Sequence, residues 1–248
     1  MYMLSLKSVP SEKAPWRMVG KIGGGGKIDV RDNLLEVTYK AGDVGSASGV
    51  TFHAQPDDFP ASEAILRYQV FFPPDFEWRQ GGKLPGLYIG GIGASGGNWS
   101  KDCGSVRPVF KEGGAAVAYI YVPLEVCGGK DDRDALDKVE GATFKKVVQH
   151  TSKGTHVWRD GSAGTFTRGA WNDINVRVKM NSKDKKDGVL EMSINGHTSS
   201  LPFVWRASLQ TKIEGIAFAT FFGGSTRDAA APQGAKAKFR AFSYEIKK

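Results

Sequence analysis

Long apolar runs, cysteine pairs and helical periodicity are all missing from this sequence, and each absence removes a class of protein. No apolar stretch approaches the ~20 residues needed to cross a bilayer as a helix, so no membrane partner is expected. The opening residues MYMLSLKSVP lack a basic leader, and their apolar stretch is too short for a signal peptide. Cysteine occurs only as Cys103 and Cys127, neither in a C-x-x-C pair, which argues against a zinc site and leaves the redox compartment open. His53, His150, His156 and His197 show no metal-ligand spacing, and each reads as a structural or exposed residue. Asp57-Asp58 and Asp131-Asp132 lie in loop-like contexts, so no carboxylate pair for hydrolysis is evident. No metal and no cofactor is expected. With neither an internal repeat nor a low-complexity linker, residues 1–248 read as one domain, or as a catalytic fragment of a longer chain.

What is present is glycine, aromatic residues and positive charge. Thirty-two glycines favour many turns and close backbone approaches, and 40% hydrophobic residues with six tryptophans can fill an extended core. Lys and Arg number 34 against 26 Asp and Glu, a net charge of +8 with a pI near 9.4. That surplus suits a polyanion, whether nucleic acid, anionic lipid or acidic polysaccharide. It does not choose among them, but no DNA- or RNA-binding motif is present, so no specific nucleic-acid partner is expected.

Alternation of apolar and polar residues predicts strands over 34–40, 64–72, 173–180, 188–195 and 242–247. In 173–180, Ile174, Val176, Val178 and Met180 face one way; in 188–195, Leu190, Met192 and Ile194 do. The polar NSKDKKD segment between them makes a hairpin with one wet face. Only residues 131–138 could form a helical turn or two, and their charge suggests a solvated excursion. Gly23 to Gly26 reads as a turn. The fold class is all-β, a jelly-roll sandwich of two antiparallel sheets.

Gly91-Ile-Gly-Ala-Ser-Gly96 matches G-x-G-x-x-G, but Gly97-Asn-Trp-Ser-Lys-Asp102 cannot open the helix that a dinucleotide site requires. A glycine loop bordering a cleft is the plainer reading. A second hairpin is more informative. Residues 105–110 and 115–122 flank the turn Lys111-Glu-Gly-Gly114. Pairing about Gly113 sets Ser105 opposite Tyr121 and Arg107 opposite Tyr119, all four on one face, with an apolar set from Val106 to Val122 on the other. Pro108 implies an edge or a bulge, and a Cys103–Cys127 bridge would need a register slip. By pattern alone the polar face could equally be an ordinary solvent-facing surface or a passive sugar-binding one. Trp78, Tyr88 and Trp99 could stack on sugars, although core packing is the commoner fate.

The block Glu77-Trp-Arg-Gln-Gly-Gly-Lys83-Leu-Pro-Gly-Leu-Tyr88 resembles the GGKLPGLY signature of the family-fourteen polysaccharide lyases, which include alginate-lyase-like enzymes of chlorella viruses. The strand Leu66 to Phe72 and Phe221-Phe-Gly-Gly-Ser225 are similar to other parts of that family, over roughly residues 50 to 247. The resemblance implies a jelly roll with a concave substrate cleft, and matches Lys83, Ser105, Arg107, Tyr119 and Tyr121 to the family's functional set. It further implies metal-independent β-elimination from an acidic polysaccharide made of glucuronate or mannuronate, as in algal cell walls, by a monomer acting extracellularly or on a virion. Arg107, with Lys83, would neutralise the uronate carboxylate; Ser105 would hold an oxygen; a tyrosine, its pKa lowered by these cations, would take H5. The alternative is a non-catalytic lectin on the same sandwich.

Overall fold

The alternating segments 173–180 and 188–195 pair as the antiparallel hairpin Trp171–Lys179 and Gly188–Ile194, with Val176 opposite Met192 and Val178 opposite Leu190, all four fully buried. The computed structural model that places them describes residues 1–129, 133–151 and 153–248. Among the described residues, two antiparallel sheets of eight and nine strands enclose one large core. The outer sheet runs His197–Phe203, Gly188–Ile194, Trp171–Lys179, Glu63–Phe71, Lys236–Lys247, Leu34–Thr38, Lys27–Arg31, with Tyr2–Met3 beside Lys236–Lys247. The cleft sheet runs Val148–His150, Thr155–Val157, Ala116–Tyr121, Gly104–Phe110, Gly82–Lys83, Ile213–Phe222, Val50–Ala54, Met18–Gly23. A further strand, Gly86–Ile89, lies between Gly104–Phe110 and Ile213–Phe222. This is the all-β sandwich expected from the sequence.

The two outer faces differ in charge. On the outer sheet Glu63 and Glu191 hold Arg177, Glu245 holds Arg67, Glu36 holds Lys236, and the Arg240 guanidinium stacks on Trp171 at 3.9 Å. Its cations are largely balanced. Such exposed pairs contribute little stability each, but they leave the surplus positive charge to act elsewhere.

Four expectations need correction. The helical turn or two expected within 131–138 is the helix Arg133–Glu140, but it is no solvated excursion: with a second helix, Ala142–Val147, it is pinned by Leu136 and Phe144, both buried in the core. Asp131 and Asp132 lie outside the described residues. The final strand starts at Lys236, because a bulge at Ala241, with φ 55°, breaks the alternation between Phe239 and Phe242 while keeping both rings buried. Pro108 lies in an inner strand with no bulge. Its missing donor is tolerated because the strand beside it is interrupted at Leu84-Pro85, where the Pro85 carbonyl accepts from Tyr68 Oη at 2.8 Å. Cys103 and Cys127 carry no disulfide. The hairpin keeps its register, so Cys127 lies beyond the position that would face Cys103.

The helical segment is fastened by a carboxylate. Glu140, buried, accepts from the Val204 amide at 2.8 Å and sits 3.6 Å from Lys186 Nζ; burial pushes its carboxyl up to about 7. Between pH 4.5 and 7 the folded chain binds a proton that the unfolded chain does not, so this group's contribution falls as pH rises through that window. His53 and His156, whose imidazoles burial holds near 4, slope the other way. The expected result is therefore a difference: Glu140→Gln gains stability relative to the unmodified protein between pH 5 and pH 8, by about 3 kcal/mol at most. Paired thermal melts across that range check it.

Candidate active site

Strand alternation and an unbroken register bring the polar face of the second hairpin together as the sequence implied: Tyr119 pairs with Arg107 and Tyr121 with Ser105. Behind this face Val106, Phe110, Ala118 and Ile120 enter the core. Lys83 joins the set from a neighbouring strand, paired with Val109 on one side and Phe221 on the other. Its ammonium nitrogen lies 4.2 Å from the centroid of the Tyr119 ring, 5.8 Å from that of Tyr121 and 5.4 Å from that of Phe221.

The glycines around Lys83 have a steric cause. A Cβ on Gly82 would come within 2.3 Å of the Phe110 ring, and one on Gly86 within 1.9 Å of the Val106 carbonyl oxygen. The Gly-Gly-Lys-Leu-Pro-Gly block therefore lets the chain lie tightly on Gly104–Phe110 on both sides of a short break, with Lys83 delivered to the cleft and Leu84 to the core. Trp78 and Tyr88 are buried, Trp78 against Phe72, Phe76 and Phe110, so neither is a sugar platform.

The glycine loop 91–97 opens no helix and supplies backbone atoms instead. The Ala94 carbonyl accepts from Ser105 Oγ at 2.9 Å and from Arg107 Nη2 at 3.0 Å, and Arg107 Nη2 also donates to Ser105 Oγ at 3.0 Å. The Gly97 amide donates to Tyr121 Oη at 2.8 Å. Tyr121 and Tyr119 hydroxyls lie 3.4 Å apart. Ser105 is thus buried beneath Arg107 and orients it, rather than meeting the cleft surface.

These groups floor a cleft of about 650 Å³ that crosses the sheet roughly perpendicular to its strands. Its walls are the turns 44–47, 80–81 and 223–225 on one side and 95–96 with Thr151 and Lys153 on the other. Among the described residues, the lining holds the cations Lys83, Arg107, Lys111 and Lys153 and no carboxylate. Arg107 is buried with no anionic partner among the described residues, and its Nε makes no hydrogen bond to them. A buried guanidinium in this state is costly unless an anion completes it. Burial, Arg107 and Lys153 together hold the Lys83 amine well below the usual lysine range. Burial, reinforced by Tyr121, raises the Tyr119 phenol above its ordinary value and outweighs the lowering by Arg107, which corrects the expectation of an activated phenolate there.

The sequence reading missed two lining residues, His53 and His156. His53 was legible by period: Val50, Phe52 and Ala54 are buried in the core, which turns Thr51 and His53 to the cleft. His156 pairs with Tyr119 across the sheet, its ring 5.0 Å away. His150, by contrast, is tied to Thr155 and Asp137, and His197 is exposed. No three His, Cys, Asp or Glu side chains gather as a metal site among the described residues.

The fold that carries this site is similar to that of known enzymes. The structure superposes on a marine PL-14 alginate lyase from Aplysia kurodai with a TM-score of 0.73 and 26% identity, covering 90% of this chain and 87% of that one. On the alginate lyase vAL-1 from Chlorella virus it gives 0.74 and 25%, covering 93% of each. An endo-beta-1,4-glucuronan lyase from the fungus Trichoderma reesei, at 14% identity and a TM-score of 0.52, shares the fold. In sequence the chain is 24% identical over 227 residues to Exolysin of Paramecium bursaria Chlorella virus 1, covering 83% of this chain and 34% of that protein. It thus spans about a third of the length of that curated relative. The family model described as polysaccharide lyase 14 matches residues 27–242, nearly the whole of both sheets, and the chain belongs to that polysaccharide lyase family.

Proposed function

We propose that this chain cleaves uronic-acid polymers by β-elimination, with Lys83 as base, Arg107 as carboxylate clamp and Tyr119 as proton donor. The carrying observation is the convergence of an unpaired buried guanidinium, an amine biased toward its neutral form and a phenol biased toward its protonated form in one carboxylate-free cleft. Removing H5 of a uronate leaves negative charge on its carboxylate as an enediolate. Arg107 meets that charge with fixed N–H groups that need no reorganisation, because Ala94 and Ser105 already hold them.

The Lys83 lone pair takes H5, and the electron pair of the C5–H bond passes into the enediolate. Its collapse forms the C4=C5 double bond and expels O4 with the electrons of the C4–O4 bond. Tyr119 gives O4 a proton. The Lys83 ammonium beside the Tyr119 ring then returns a proton to the phenolate, restoring both groups. Tyr121 acts from behind: the Gly97 amide fixes its hydroxyl oxygen, which lies 3.4 Å from that of Tyr119 and holds the Tyr119 phenol in place and in its protonated form. In glucuronate and mannuronate H5 and O4 share one side of the ring, which suits a base and an acid placed side by side. The alginate lyases among the solved relatives support alginate as one such polymer. We read the enzyme as a monomer that meets such chains outside the cell or from a virion, as algal cell walls present them.

Incubation with alginate and with glucuronan, followed by the ultraviolet absorbance of the C4=C5 uronate, tests this. Absorbance should rise on at least one of them. Binding without absorbance on any uronate polymer would leave a lectin and overturn the proposal. The pH profile carries the sign of the two shifts. Activity should rise as Lys83 loses its proton, well below the ~10.4 of free lysine, and fall only where Tyr119 loses its own, above ~10. Activity that rises only above about pH 10 would remove Lys83 as the base, and activity that falls before about pH 10 would remove Tyr119 as the donor.

A further inference from the structure

The floor of the cleft does not end at Arg107. Directly across the sheet from the Tyr119–Arg107 pair come Gly86, then Ala217 opposite it, then His53 opposite Ala217. Three strand spacings of ~4.8 Å separate Arg107 from His53 along this row, room for more than one sugar ring. Gly86 carries no side chain; Ala217, which lines the cleft, rises no higher than a methyl group, with Ala219 and Thr51 beside it. The floor there is low and His53 stands at its far side.

Charge divides the cleft in the same way. Lys83, Arg107, Lys111 and Lys153 belong to the tyrosine half, whereas Ser46, Thr51, His53, Ala217 and Ala219 carry the other half with no charged side chain. His53 is fixed edge-on against Tyr88, ring centroids 5.0 Å apart at 85°. No group among the described residues hydrogen-bonds its ring, unlike that of His150, which is tied at both nitrogens. Burial and Arg107 hold the imidazole near 4, so at neutral pH it offers one donor and one acceptor and no charge. One donor beside one acceptor matches a sugar hydroxyl, whereas a carboxylate is met better by the cations of the other half.

We propose that His53, with Thr51 and the Gly86–Ala217 floor, forms a second sugar subsite that positions the residue next to the reacting uronate through its ring hydroxyls and does not require a carboxylate there. This rests on the β-elimination reading of the Lys83–Arg107–Tyr119 half. It makes His53 a specificity-determining contact, and it makes the enzyme tolerant of a neutral sugar on one side of the cut.

Kinetics on glucuronan and alginate oligosaccharides, with the unmodified protein assayed first, separate the two ideas. If the unmodified protein forms no unsaturated product, the elimination reading fails, whatever His53 does. If it does, His53→Ala should raise KM about fivefold to tenfold with kcat changed less than twofold, the loss expected of one neutral hydrogen bond or two. His53→Gln, which keeps a donor and an acceptor, should recover most of that loss and guards against misfolding. On a partly carboxyl-reduced polymer, neutral residues should appear beside the cleaved bond on one side only. An unchanged KM in His53→Ala, or neutral residues excluded from both sides of the cut, would overturn the subsite.

Discussion

Lys83→Met should lower elimination about a thousandfold while raising the melting temperature. The activity loss follows from removing the base, since positioned proton transfer contributes on the order of 10²- to 10⁴-fold. The stability gain follows from the same side chain. Lys83 is half-buried among Tyr119, Tyr121, Phe221 and the like charges of Arg107 and Lys153, and its amine is held well below 10.5 in the folded protein. Between that folded value and 10.5 the unfolded chain binds a proton that the folded chain does not, so stability rises with pH across the window and is penalised below it. Methionine fills a similar volume and carries no such penalty. Initial rates on the preferred polymer and a thermal melt at neutral pH give both readings. A variant that is slow and also less stable would point to a structural lysine and remove it from the mechanism.

Arg107→Ala should cost about 10²- to 10³-fold in kcat/KM, the magnitude found when one preorganised donor to a developing oxyanion is lost. Arg107→Lys should recover little of it. The guanidinium donates to two fixed acceptors, the Ala94 carbonyl and Ser105 Oγ, and those bonds set the direction of the donors that remain. An ammonium is a point charge on a flexible stem and cannot keep that planar fork. Ser105→Ala, which removes one of the two bonds and touches no substrate, should fall between Arg107→Lys and the unmodified enzyme. Steady-state kinetics of the three variants would show the order; full activity in Arg107→Lys would reduce Arg107 to a charge with no directional role.

The polar hairpin face was legible because period two is strict where one side must enter a core: Val106, Phe110, Ala118 and Ile120 fix where Ser105, Arg107, Tyr119 and Tyr121 point. Lys83 had no such signature of its own, since its strand is two residues long and gains its place from neighbours distant in sequence. Only the resemblance of its Gly-Gly-Lys-Leu-Pro-Gly block to the family signature marked the site. His53 obeys the same alternation as the hairpin, and its facing follows from the buried Val50, Phe52 and Ala54 rather than from any ligand spacing. The backbone groups of Ala94 and Gly97 have no residue-type signal at all. The burial of the helical segment was hidden by charge, because two side chains, Leu136 and Phe144, anchor in the core a segment that otherwise reads as solvated. The direction of the Tyr119 shift turned on how deeply the ring is buried, a quantity that neighbouring cations in the sequence could not supply.

The glycine loop also has a kinetic consequence. Ala94 and Gly97 lie in one short turn, yet between them they grip Ser105, Arg107 and Tyr121. Were that turn to open, the clamp and Tyr121 would lose their backbone partners in a single event, and loosening the loop would then change the fraction of armed molecules rather than the speed of any one of them.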